Sequence, residues 1–285
     1  MNDGPLSRMN DGPLSPNETR DLLARLSHMP KKWLGQNFLI DGNIVRKSLE
    51  LGEVKAGDTV LEVGPGLGTL TRTLLCAGTD LYAIEADRTM HFHLTESLLP
   101  RFPKTFHLKE GDAVDFPRAG LVDPTDGSFK VIANLPYAIS TPWMDGICAG
   151  PHPSMMVLML QREAAERLTA EVGTGHWSAV TAQVHLAFEK IKVHPVPAQS
   201  FNPPPKVDSC LLVLRRRPDA RRLSPRAREV ARMLFTQRRK QVGSAAKKLF
   251  PGAPDVAAWL ADLPRYGLTS LARPEAIPAE AWLTL

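Results

Sequence analysis

At 285 residues and 43% hydrophobic, the chain can bury one large core or two smaller ones. No apolar run approaches the roughly 18 residues of a membrane helix. Three scattered cysteines, Cys76, Cys148 and Cys210, show no metal-ligand spacing, which speaks for buried thiols in a reducing compartment and for no bound metal. The net charge of +5 is unevenly placed. Residues 215–248 hold thirteen Lys and Arg against two acids, so the remaining chain is net acidic. A concentrated basic segment on an otherwise acidic protein is the footprint of a polyanion binder.

The chain begins with a repeat, Met1-Asn2-Asp3-Gly4-Pro5-Leu6-Ser7 and again Met9-Asn10-Asp11-Gly12-Pro13-Leu14-Ser15. Its Gly, Pro, Asn and Ser content predicts disorder over 1–28. That stretch lacks the order of a signal peptide, and its acids Asp3, Asp11, Glu18 and Asp21 speak against a mitochondrial presequence. The expected location is the cytoplasm.

From about residue 41 strands and helices alternate. Thr59 to Val63 reads as a strand, Leu67 to Cys76 as a helix, Leu81 to Glu85 as a strand and Asp87 to Leu98 as a helix. Phe106 to Lys109, Val131 to Ala133 and Met155 to Leu160 are further strands. This alternation predicts an α/β domain with a parallel sheet covered on both faces. After a helix near Ala179 to Phe188, Val193 to Ser200 and Val207 to Leu214 read as an antiparallel pair that finishes the sheet. Pro218 breaks the chain. A helix over Pro225 to Gln241 and shorter helical pieces follow, divided by prolines. The predicted organisation is an extension over 1–28, a catalytic domain over 29–217 and a small helical domain over 218–285 that carries the basic segment.

Two loops carry chemistry. Gly64-Pro65-Gly66-Leu67-Gly68 joins the first strand to the first helix, where glycines permit a tight turn and a ligand meets the helix N-terminus. Glu85 ends the next strand, placed to accept from two ribose hydroxyls. Alone, this pattern suits NAD or S-adenosylmethionine. Gly-x-Gly-x-Gly spacing and the preceding Glu62 tilt it toward S-adenosylmethionine, which has no pyrophosphate to cradle. Asp112 at the end of the third strand can accept from an adenine amino group. The second loop is Asn134-Leu135-Pro136-Tyr137, after the strand ending at Ala133. The Asn134 side-chain carbonyl and the Leu135 backbone carbonyl are two acceptors, Pro136 stiffens the turn, and Tyr137 offers a ring face. The set suits a planar base with an exocyclic amine.

With these motifs in order, the chain resembles the small-subunit rRNA adenine N6-dimethyltransferase family (KsgA-type). The resemblance runs from about Lys31 to Lys240. It rests on Lys31 to Leu39, Glu62 to Thr71, Ala83-Ile84-Glu85, Gly111-Asp112-Ala113, Asn134 to Tyr137, Leu160 to Glu163, Phe201 to Ser209 and Phe235 to Lys240. It implies a Rossmann-like S-adenosylmethionine-dependent methyltransferase sheet with a small C-terminal helical domain. It implies that Asn37, Leu39, Gly64, Glu85, Asp112 and Asn134 hold the cofactor, and that Asn134 to Tyr137 form the catalytic block. Tyr137 and Phe201 would stack the target base between them. Arg238, Arg239 and Lys240 would meet RNA. The implied reaction is dimethylation of two adjacent adenosines in the 3′-terminal hairpin loop of 16S rRNA, within a small ribosomal subunit or its precursor, by a monomer. Two departures concern RNA contact: Gln241 to Ala245 replaces a Leu-Arg-Asn-Ser-Leu-like run, and Gly175-His176-Trp177-Ser178 replaces Gly-x-Leu-Ser. The related large-subunit methylases that confer macrolide resistance, and non-enzymatic relatives acting in transcription or as assembly checkpoints, are the competing readings.

Overall fold

The computed structural model describes residues 12–31 and 35–285. The chain divides into two compact units. The first runs through Trp143 and adds Pro151–Arg162 and Lys190–Arg215; the second comprises Met144–Gly150, Glu163–Glu189 and Arg216–Leu285.

The first unit is built on a seven-stranded sheet. Strands β2 (Thr59–Val63), β3 (Asp80–Glu85), β4 (Phe106–Glu110), β5 (Lys130–Asn134) and β6 (Met155–Gln161) are parallel. Strand β9 (Ser209–Arg216) runs antiparallel to β6, and β7 (Phe188–Val196) lies at the edge beside β9. The order is β4-β3-β2-β5-β6-β9-β7. In β6, Met155 to Leu160 are buried without a break, as expected of a strand covered on both faces. Helices α2 (Gly42–Leu51), α3 (Thr69–Cys76), α4 (Arg88–Ser97) and α5 (Ser140–Cys148) accompany the strands. The strand order reverses between β2 and β5, which remain parallel: it runs one way through β3 and β4 and the other way through β6. Ligands of such sheets bind outside the strand ends at this point.

Within the stretch expected to be disordered, residues 12–28 carry structure. Helix α1 spans Pro16–Arg25. Ser15 accepts from the Glu18 N–H and Glu18 accepts from the Ser15 N–H, a capping box with Pro16 in the first turn. Leu14, Leu22 and Leu23 are buried in one cluster with Phe38, Leu67 and Met90. Composition predicts disorder here; a helix cap and leucines buried in a shared cluster overrule it. The repeated segment before Gly12 lies outside the described residues, as do Lys32, Trp33 and Leu34. A two-stranded sheet pairs β1 (Phe38–Leu39) with β8 (Phe201–Asn202). The strand expected over Val193 to Ser200 therefore ends at Val196, and a 3-10 turn over Ala198–Ser200 leads into β8.

The second unit has its own core. Trp177, Leu186, Val230, Leu234, Trp259 and Trp282 share one buried cluster. The Trp259 and Trp282 rings stack at 4.8 Å, and the Trp259 Nε1–H donates to the Ala281 carbonyl at 2.8 Å. Its helices are α6 (Arg162–Leu168), α7 (Ala179–Ala187), α8 (Pro225–Phe235), α9 (Val242–Leu249) and α10 (Pro254–Asp262). The expected boundary at 218 thus marks only the last of three segments, because Trp177, Ala182 and Leu186 bury their apolar surface with Leu223 and Val230. Helix α8 stops at Phe235, since Thr236 to Gln241 offers no apolar side chain to bury.

Candidate active site

The glycine loop after β2 needs its glycines. Gly64, Gly66 and Gly68 have φ of 66°, 57° and 82°, the left-handed region that a side chain disfavours. A Cβ on Gly64 would stand 3.3 Å from Pro136 Cγ, and one on Gly66 would stand 3.3 Å from Phe38 Cε1. The loop is therefore pressed between β1 and the turn after β5.

Two carboxylates lie below it. Glu85 is 6% exposed; it accepts from the Gly66 N–H at 2.9 Å and from the Asp87 N–H at 2.8 Å. Burial pushes its carboxyl up despite these N–H groups. Glu62 is 1% exposed, and its Oε2 has no hydrogen-bond partner among the described residues. Burial, with the charge of Glu85 adding to it, pushes Glu62 up to about 8. Asp112 is exposed at the mouth, with Oδ1 accepting from the Val114 N–H at 2.8 Å.

The turn after β5 faces the loop. Asn134 donates through Nδ2 to the Asn37 carbonyl at 3.3 Å, an orientation that leaves Oδ1 as the acceptor of the amide. Asn37 is itself held by its Nδ2–H on the Gly35 carbonyl at 3.1 Å. The Leu135 N–H is taken by the Met159 carbonyl of β6 at 3.2 Å, and the Leu135 side chain is buried. Pro136 leads into a 3-10 turn over Tyr137–Ile139, and the Tyr137 hydroxyl meets Ser209 Oγ at 2.8 Å. Burial pushes the Tyr137 phenol up, the bond to Ser209 opposing it, so the ring stays neutral.

Asn37, Leu39, Gly64, Glu85, Asp112, Asn134, Leu135, Pro136 and Tyr137 line one cleft at the reversal point of the sheet. Phe201 does not join them. It is 2% exposed, opposite Leu39 across the small sheet and packed into the core, so its ring faces no open space for a base. Arg238, Arg239 and Lys240 belong to the second unit. Arg238 donates to the Gly175 and Trp177 carbonyls at 2.7 and 2.9 Å, a structural engagement, while Arg239 and Lys240 are exposed.

Sequence reasoning missed a buried hub beside the cleft. Asp87 Oδ2 accepts from Gln36 Nε2 at 2.9 Å and pairs with Lys31 Nζ at 3.0 Å, while Oδ1 caps α4 through the Thr89 N–H. Burial pushes the Asp87 carboxyl up, but Lys31, Gln36 and Thr89 together hold it below the usual carboxylate range. Gln36 Oε1 also receives the Lys31 N–H and meets His28 Nε2, both at 2.8 Å. This hub fixes the segment carrying Asn37 against the strand end carrying Glu85. A helix-capping aspartate two residues after Glu85 was the available signal.

The donor set fits S-adenosylmethionine: a glycine loop without Cβ atoms, a buried carboxylate at the β3 end, an unpartnered buried Glu62 oxygen lining the cleft, and Asp112 at the mouth. The sequence profile of the Ribosomal RNA adenine dimethylase family matches residues 27–261. The chain belongs to this family. Among its relatives, the ribosomal RNA small subunit methyltransferase A of Opitutus terrae is 52% identical over 273 residues, covering 96% of this chain and 98% of its own. Two solved structures are similar: a dimethyladenosine transferase from Plasmodium falciparum (TM-score 0.66, 28% identity, 87% of this chain and 95% of that one) and the 23S rRNA methyltransferase ErmE (TM-score 0.58, 27% identity, 87% and 97%). The Rossmann-like methyltransferase sheet expected from sequence is thus the observed one, and rRNA adenine dimethylases use S-adenosylmethionine. The family match spans the cleft and the basic stretch through Lys240.

Proposed function

We propose that this protein dimethylates N6 of two adjacent adenosines near the 3′ end of small-subunit rRNA, using S-adenosylmethionine. The observation that carries the reading is Asn134: its Nδ2 is committed to the Asn37 carbonyl, which leaves Oδ1 as an acceptor, and Asn134 lines the same cleft as Leu135 and Tyr137. The 52% identity with a small-subunit methyltransferase, against 27% with a 23S enzyme, favours the small subunit.

The cofactor supplies an electrophilic methyl group. Gly64, Asn37 and Leu39 would line its amino-acid end, Glu85 would accept from its ribose and Asp112 from its adenine. The target amine is a weak nucleophile because its lone pair is delocalised into the ring. Asn134 Oδ1 and the Leu135 carbonyl would accept its two N–H bonds and favour a tetrahedral nitrogen whose lone pair is free. The same acceptors stabilise the positive charge that develops on nitrogen, which is transition-state complementarity rather than tighter binding. No strong general base is needed, because that nitrogen is acidic once alkylated. The base must leave its stack to reach the cleft, and the Tyr137 face would receive it. The enclosed Phe201 ring supports the walls of the site from within the core.

Exposed Arg232, Arg239, Lys240, Lys247 and Lys248 on the second unit would meet RNA phosphates. The partner is 16S rRNA in an assembling small subunit, and the enzyme acts as a cytoplasmic monomer. Among the described residues no helix is long and apolar enough to cross a membrane. The test is methyl transfer to unmethylated small subunits with the modified bases mapped. Asn134→Ala should turn over about tenfold to a hundredfold more slowly, the value of one transition-state hydrogen bond. Absence of methylated adenine with wild-type protein would sink the reading, and a wild-type rate for the mutant would sink the role of Asn134.

A further inference from the structure

Tyr137 is held at both ends. Its main chain sits in the turn after β5, where the Ser140 hydroxyl donates to the Tyr137 carbonyl at 3.0 Å and the Ile139 N–H donates to the Pro136 carbonyl at 3.1 Å. Its phenol reaches across to Ser209 Oγ at 2.8 Å. Ser209 is 1% exposed and opens β9, opposite Gln161 at the end of β6. Strand β6 in turn carries the Met159 carbonyl that holds the Leu135 N–H, and Met159 stands opposite Asn134. One rigid sheet thus fixes the acceptor amide, the acceptor carbonyl and the far end of the ring.

We infer that Ser209 is a positioning residue for methyl transfer, acting through the Tyr137 hydroxyl to fix the ring plane on which the target base lies. The inference rests on the proposed adenine methylation. A ring tethered only at Cα can swing about its side-chain torsions. A ring also tethered at its hydroxyl presents one face, and its ordering is complete before the base arrives. Ser209 touches neither substrate nor cofactor: it does not line the cleft, whereas Tyr137 does. Because the phenol is neutral, the tether is an ordinary hydrogen bond that either hydroxyl can donate. Loss of the tether should lower the fraction of bound base that is correctly placed. That fraction enters kcat, while KM for the particle, set by phosphate contacts elsewhere, should hardly move.

The test is a double-mutant cycle on the full chain with unmethylated small subunits as substrate. Ser209→Ala and Tyr137→Phe remove the same bond from opposite sides and leave the aromatic ring in place. Each should lower kcat by roughly three- to tenfold, the value of one hydrogen bond, with KM for the particle and affinity for S-adenosylmethionine unchanged. The double variant should be no slower than the slower single, since the second change has nothing left to remove. Losses that multiply in the double variant, or single variants at the wild-type kcat, would overturn the inference. Calorimetric titration with S-adenosylmethionine checks the fold of each preparation. If Ser209→Ala does not fold, Tyr137→Phe alone decides, because a wild-type kcat without the phenol hydroxyl excludes the tether. An inactive wild-type protein would instead count against the functional reading.

Discussion

Glu85 gathers two backbone N–H groups, from Gly66 and Asp87, on one buried carboxylate. As an acceptor for a ribose it should contribute about 1–3 kcal/mol to cofactor binding. Glu85→Gln should show that loss by calorimetry while keeping an oxygen for one N–H. Glu85→Ala should also melt at a lower temperature, because a strand-end acid that anchors the loop carries fold stability as well as ligand affinity. Unchanged affinity in folded Glu85→Gln protein would remove Glu85 from the site. Glu62 makes a pH prediction. An unfolded glutamate titrates near ~4.3, whereas burial pushes Glu62 up to about 8 in the folded chain. The folded state therefore holds the proton more tightly than the unfolded state. The associated stability is complete below the unfolded value and is lost as pH rises through about 8. Glu85, also raised by burial, adds with the same sign. The glutamate contribution to melting temperature should thus fall between about pH 5 and 8, opposed at the lower end by His93 and His185, which burial holds below the usual imidazole range, and Glu62→Gln should remove the Glu62 part of the fall. Parallel curves for the two proteins would show that Glu62 is ionised in the fold.

Helix α9 shows how a local departure from the family pattern is absorbed. Val242 to Ala245 includes Gly243, whose N–H donates to the Ser270 carbonyl at 2.8 Å. A Cβ there would stand 2.8 Å from Ser270 Cβ and 3.0 Å from Ser270 O. Helix interiors ordinarily favour alanine over glycine by roughly 1 kcal/mol. Here the sign should reverse, because backbone cannot give way: Gly243→Ala should destabilise the protein by about 1–3 kcal/mol in chemical denaturation. A more stable variant would show that the Ser270 loop moves freely. Gly243 is thus tied by packing to the path of the loop after α10.

The charge asymmetry of the whole molecule resolves into cations with different duties. Arg226 pairs with Asp255 and Glu229, Arg228 pairs with Asp145, and Arg238 serves two carbonyls of the loop before α7. Arg239 and Lys240, by contrast, are exposed. Neutralising Arg239 and Lys240 together should weaken particle binding and flatten its salt dependence by up to about 0.7–0.9 log units per lost phosphate contact. Arg238→Ala should instead lower the melting temperature, because two carbonyls lose their donor, and should leave the salt slope alone. Binding measured against salt, beside melting curves, separates the two; a slope altered only by Arg238→Ala would reverse the assignment.

What the sequence determined by itself is local. Apolar runs, the glycine spacing and acids at strand ends identify a parallel sheet and the end of it that binds ligand, because strand period and turn chemistry act over a few residues. The cleft residues from Gly64 to Tyr137 were legible for that reason, Asn37 and Leu39 only through the family resemblance, and Leu14 to Arg25 could have been, through its capping box. Partner choice was decided only by the tertiary structure. Tyr137 and Ser209 are 72 residues apart, and Arg238 lies 61 residues from the Trp177 carbonyl it serves. Phe201 reads from its motif as an open stacking face, yet pairing with Leu39 turns it into the core. A side chain's type sets what it can do; which atoms lie within 3 Å of it, and how much water it keeps, depend on elements that only folding brings together.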